Sequence, residues 1–104
     1  MKTILVILLI VCAAASFAAD FRINNETGVS IWYIYISKST DEYWGDDWLG
    51  ESEMLSNGSS KTYNLNTYDT WDIMLIDENE NTYSLSTTVH PSGFTWTVTP
   101  QSMD

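Results

Sequence analysis

Residues 38–54 read Lys-Ser-Thr-Asp-Glu-Tyr-Trp-Gly-Asp-Asp-Trp-Leu-Gly-Glu-Ser-Glu-Met, the stretch richest in groups that could do chemistry. Six carboxylates (Asp41, Glu42, Asp46, Asp47, Glu51 and Glu53) stand among three large aromatics, Tyr43, Trp44 and Trp48. Carboxylates this close repel one another unless they are solvated or bridged by a cation. Hard oxygen ligands drawn from two or three loops are what Ca2+ takes. A second run, Asp77-Glu78-Asn79-Glu80-Asn81, offers donors of the same kind. It copies the alternating start of an EF-hand loop, but Thr82 stands where the turn glycine belongs and Thr88 where the closing glutamate belongs, so no EF-hand is present. The candidate metal ligands are therefore Asp41, Asp46, Asp47, Asp77 and Glu78, with Ca2+ the one candidate cofactor. The competing reading is acids kept in solvent to oppose aggregation. Tyr43, Trp44 and Trp48 are candidate ligand-binding residues, because exposed aromatics stack on sugar rings or anchor a protein partner at low entropic cost. Against this stands a plug, in which one of the tryptophans folds back onto the core beside Leu49.

Catalytic chemistry finds little support. The sole histidine, His90, precedes Pro91 in a turn-like stretch, there is no Gly-x-Ser-x-Gly, and the single cysteine, Cys12, sits in an apolar N-terminal run. One histidine and no cysteine beyond residue 12 also disfavour zinc. Two carboxylates could serve a glycosidase, but a chain this short offers little cleft. A non-enzymatic protein is expected. Its partner would be a protein or a glycan, not nucleic acid or an anionic lipid surface, both of which need basic patches.

The elements that must hold these residues begin after an address label. Lys2, the apolar run from Ile4 to Val11 and the small residues from Ala13 to Ala19 read as a signal peptide, residues 1–18, with cleavage between Ala18 and Ala19. Val11 stands where a lipobox carries Gly or Ala, so Cys12 belongs to the apolar region and the mature form is expected free of lipid. The expected mature chain, residues 19–104, is exported, periplasmic or secreted. It has no cysteine, and sets three basic residues against 14 acidic ones, a formal charge of −11. An aromatic content of 13% marks it as a folding chain in spite of that charge. With no disulfide available, the domain must be held by its core, a metal or a partner.

Strand patterns follow in order: 21–24, 29–37 (β-branched and aromatic on both faces), 61–65, 71–77, 82–89 and 94–99, where Phe94, Trp96 and Val98 alternate with threonines. Turn chemistry separates them at Asn25–Gly28, Asn57-Gly58, 66–70, 77–81 and His90–Gly93. No amphipathic helix of useful length appears. About six strands with no helix to cover them predict one all-β domain, a small antiparallel two-sheet sandwich or partly open barrel. Trp32, Ile34, Ile36, Ile73, Leu75, Phe94, Trp96 and Val98 are the expected core. If every strand runs from one end of the sandwich to the other, the connections 38–59 and 77–81 share one end, where Asp46 or Asp47 would meet Asp77 or Glu78.

Asn25-Glu26-Thr27-Gly28, the Tyr35-Ile36-Ser37 strand end, Trp44-Gly45-Asp46-Asp47-Trp48-Leu49-Gly50, the Asn57-Gly58 turn and the strand from Trp71 to Asp77 resemble a group of small exported bacterial proteins. Those share an Asn-x-Thr-Gly start and a Trp-Gly-x-Asp-x-Leu-Gly loop. The resemblance implies an exported β domain and assigns no catalytic residue. The sequence thus points to an acidic exported β-sandwich that binds or builds, with a candidate Ca2+ site at its acidic loops. A carbohydrate-binding module using the loop tryptophans is the alternative.

Overall fold

Period-two alternation sets the first strand, β1 (Ala18–Asn25), which turns Ala19, Phe21, Ile23 and Asn25 inward and leaves Asp20 and Arg22 in solvent. The computed structural model describes residues 18–104, so the expected signal peptide and Cys12 lie outside the described residues, Ala18 excepted. Five further strands follow: β2 (Ile31–Lys38), β3 (Ser60–Asn66), β4 (Thr70–Asp77), β5 (Thr82–Thr88) and β6 (Phe94–Val98), then a short 3-10 turn, Pro100–Ser102. They form two three-stranded sheets ordered β3-β1-β6 and β2-β4-β5. Every pairing is antiparallel except β1 with β6, which is parallel. The expected all-β, two-sheet architecture of six strands is what the chain adopts.

The sheets bury one face each against the other. Phe21, Ile23, Leu65 and Val98 come from the first sheet and Ile31, Ile34, Ile36, Ile73, Leu75 and Tyr83 from the second, all in one cluster. Burying each such side chain contributes about 1.5–3 kcal/mol, which a chain without disulfides needs. Phe94 and Trp96 are half-buried and pack against this cluster, with Phe94 lying parallel to Phe21 at a centroid distance of 5.8 Å.

Trp32 departs from the expected core. Ile31 pairs with Asp77 and Tyr33 with the very next residue, Ile76, so Trp32 is the extra residue of a β-bulge. The bulge lets Ile31, rather than Trp32, enter the core and leaves Trp32 44% exposed.

The second departure is topological. β3 enters beside the end of β1, with Asn24 opposite Ser60, and Leu55 bridges Ile31 at the start of β2. The chain leaves β2 at Lys38, so residues 39–59 must travel back along the whole of β2 before β3 begins. They form a strap along the sandwich, and both β2 and β3 run in the same direction. One end of the sandwich therefore gathers 26–30, 55–59 and 78–81, joined by Glu78 N–H to the Ser30 carbonyl and Gly58 N–H to the Asn25 carbonyl. The other gathers the start of the strap, 67–69 and 89–93, with Ser39 N–H bonded to the Thr70 carbonyl. The expectation that 38–59 and 77–81 share an end holds only for the last part of the connection, 55–59, because the strap starts at the other end and crosses the length of the sandwich.

Candidate functional site

The strap is fixed to β2 by its own aspartate. Asp47 Oδ1 accepts from the Ile34 amide at 2.9 Å and the Leu49 amide at 3.0 Å, while Trp48 N–H donates to the Ile34 carbonyl at 2.7 Å. Ile34 thus spends its outward backbone groups on the strap, which covers an edge that would otherwise be open to other strands. Gly45, at φ +78°, supplies the bend just before this docking point. Leu49 and Leu55 are buried in the core cluster. Further on, Glu53 accepts from the Gly50 amide at 2.8 Å and pairs with the Lys61 ammonium at 2.9 Å; the backbone bond and then the lysine hold its carboxyl below the usual range.

The aromatics of the strap do different things. Trp48 meets Tyr63 of β3 edge to face at 5.3 Å, and the Tyr63 hydroxyl donates to the Trp48 carbonyl at 3.2 Å. Burial, helped by the Glu53 and Asp47 charges, pushes the Tyr63 hydroxyl up to about 12. Trp48 therefore lies against the sandwich, though Leu49 is the residue that enters the core. Trp44 is half-buried and Tyr43 is 79% exposed, both beside a depression bordered by Ser37, Asp41, Glu42 and Asp72.

The acidic candidates are not brought together. Asp47 docks on the outer edge of β2, and Asp77 lies across β2 on β4, where its carboxylate is buried and accepts from the Tyr83 hydroxyl at 2.7 Å and the Asn79 and Asn81 amides at 2.8 and 3.0 Å. Desolvation is the largest influence on Asp77 and pushes its carboxyl up, but these donors together outweigh it and hold the group below the usual range. Burial and then the bond to Asp77 push the Tyr83 hydroxyl up to about 12. The same carboxylate organises the β4–β5 turn, including Glu80 at φ +67°. Glu78 accepts from the Ser30 amide at 2.9 Å, and Asp41 and Asp46 are exposed on the strap. Among the described residues, no three His, Cys, Asp or Glu side chains are placed to hold a metal ion.

Two features escaped the sequence reading. On the outer face of the second sheet, Tyr33 and Tyr35 of β2 stack at 6.3 Å and lie opposite Ile76 and Met74 of β4. With Trp32 at the bulge they make an aromatic and apolar surface on which Trp32 and Tyr33 are exposed and Tyr35, Met74 and Ile76 half-buried. A small groove runs beside it between β2 and the strap, bounded by Trp32, Tyr33, Asp47, Glu51, Glu53 and Met54. The signal lay in residues 32–35, apolar on both faces, where one face had to remain outside. The second feature is polar: Asp72 accepts from the Ser39 and Ser86 hydroxyls, which hold its carboxyl below the usual range.

His90 closes its own turn. Its Nδ1 accepts from the Ser92 amide at 3.2 Å and lies 2.8 Å from the Ser92 hydroxyl, which then donates to it. No carboxylate among the described residues orients the other ring nitrogen. Among the described residues no helix is long and apolar enough to cross a membrane. No protein-family model, curated protein or solved structure matches the chain.

Proposed function

We propose that this chain is an exported, non-catalytic binding protein whose working surface is the bulge and outer face of β2. The observation that carries the reading is the pair of large aromatics at the bulge, Trp32 and Tyr33, exposed to 44% and 42%. Adjacent exposed aromatics of this kind offer a partner a rigid apolar contact surface. A bulge re-aims side chains beside binding sites, and here it turns a tryptophan out of the core at a position that alternation assigns to the inside. Aromatic residues give large contact area with few rotatable bonds, which is why they dominate binding energy.

Amide chemical-shift mapping of residues 19–104 with a panel of oligosaccharides and peptides tests this. Shifts should cluster on 31–36, 47–54 and 73–76, and Trp32→Ala should weaken binding about tenfold or more. Binding that Trp32→Ala leaves intact, with shifts confined elsewhere, would displace the site.

A second reading has its own observation. Tyr43 stands out from the strap beside the depression that Trp44, Asp41, Glu42 and Asp72 share, an arrangement that suits a sugar ring on the aromatic and its hydroxyls on the carboxylates. Shifts confined to 37–44 and 72 would favour that carbohydrate-binding mode. Trp48 is the weakest member of it, since Tyr63 occupies one of its sides.

A further inference from the structure

We infer that the groove between Trp32 and the strap takes an arginine or lysine side chain from a basic segment of a partner protein, a proposal that rests on the aromatic site above and names its ligand. The groove joins three things. Trp32 and Tyr33 present ring surface, Met54 is 52% exposed on the facing wall, and Asp47, Glu51 and Glu53 supply carboxylates. Glu53 is satisfied by Lys61, but Glu51 makes no hydrogen bond or ion pair among the described residues. Asp47 commits Oδ1 to two amides, and no donor among the described residues reaches its Oδ2. The groove therefore carries more negative charge than its own structure uses.

A long cationic side chain answers each of these features. Its methylenes lie along Met54 and the indole, its head group over the ring faces, and its charge meets Glu51 and Asp47. The space is about 180 Å3, too small for a drug-sized ligand and suited to one side chain. A second copy of this chain fits worse. Each copy carries the same excess of acid, and a symmetric contact here would oppose Glu51 and Asp47 to their own equivalents. A basic partner is instead drawn in by the field of the whole acidic molecule.

The test is calorimetric titration of residues 19–104 with an acetylated, amidated peptide alternating Arg and Leu. The control peptides carry citrulline or Glu in place of Arg, and spermine and a neutral oligosaccharide are titrated alongside. The arginine peptide should bind at least about tenfold more tightly than the citrulline peptide, and its affinity should fall as salt screens the charges. Glu51→Gln, at a residue the fold does not use, should weaken it several-fold, and Trp32→Ala more. Equal binding of the arginine and citrulline peptides, no binding of either, binding of spermine or the oligosaccharide alone, or an unaltered affinity in Glu51→Gln would each overturn the cationic segment. If Trp32→Ala still abolishes citrulline-peptide or oligosaccharide binding, the aromatic site survives and only its ligand is wrong. If Trp32→Ala changes no binding at all, the site falls with it.

Discussion

Asp77 shows how one carboxylate in an acidic chain differs from its neighbours. It is buried, yet one hydroxyl and two amides satisfy it, and they hold the turn 78–81 in shape. Asp77→Ala strands the Tyr83 hydroxyl and both amides and is expected to cost about 3 kcal/mol. Asp77→Asn keeps an acceptor for the amides and should cost about half as much. Because the folded carboxyl is held below its unfolded value, its contribution is fully present above the unfolded range near pH 4 and is lost as pH falls through the lower folded value. Urea denaturation between about pH 2 and pH 6 reads both effects. Wild type should lose stability more steeply than Asp77→Asn on the acid side. Parallel curves would mean that Asp77 is not held ionised by these donors.

Among the elements, the strap decides most. Its two leucines are core residues that sit outside any strand, so Leu49→Ala and Leu55→Ala should each cost about 2–4 kcal/mol. Trp44→Ala, at a half-buried loop position, should cost about 1 kcal/mol or less. Thermal melting of the three variants checks the order, and a Trp44 loss as large as that of Leu55 would show that the strap is held differently.

The strands themselves were legible, since alternation in 71–77 and 94–98 fixes both their existence and their inner faces. The bulge was not. Residues 31–36 are apolar on both faces, so nothing in the pattern shows that Ile31 and Ile34, rather than Trp32 and Ile34, point the same way. The strap's course was hidden for a different reason. Counting strand ends assumes that a connection stays where it starts, whereas residues 39–59 are long enough to run the length of a strand and are drawn back by Asp47, Leu49 and Leu55. The Trp-Gly-Asp-Asp-Trp-Leu-Gly stretch was visible as special, and its Asp and Leu turn out to anchor the segment.

At the scale of the whole molecule, net charge and topology together set how the protein should respond to ions. The formal charge is −10 for the full chain and −11 for residues 19–104, which opposes the compact state by self-repulsion. The two acidic stretches leave from opposite ends, and their best-placed carboxylates, Asp47 and Asp77, are occupied by amides and a hydroxyl on either side of β2. Ions should therefore stabilise by screening and not by filling a site made of both stretches. Melting of residues 19–104 at fixed ionic strength should give the same Tm in Ca2+ and Mg2+ to within about 1 °C, and raising ionic strength with NaCl should raise Tm gradually across the range where the Debye length falls from about 30 Å to about 10 Å. A bound ion behaves differently: it stabilises by mass action, with a rise that begins near its dissociation constant and reaches about 2.7 kcal/mol at a hundredfold excess. A Ca2+-specific rise at submillimolar concentration, abolished by Asp46→Asn or Asp47→Asn, would require the strap to leave β2 and reach the 78–81 turn. That rearrangement would give up the Ile34, Leu49 and Trp48 hydrogen bonds along with the burial of Leu49, so the same titration measures whether the strap's attachment outweighs the attraction of a divalent ion.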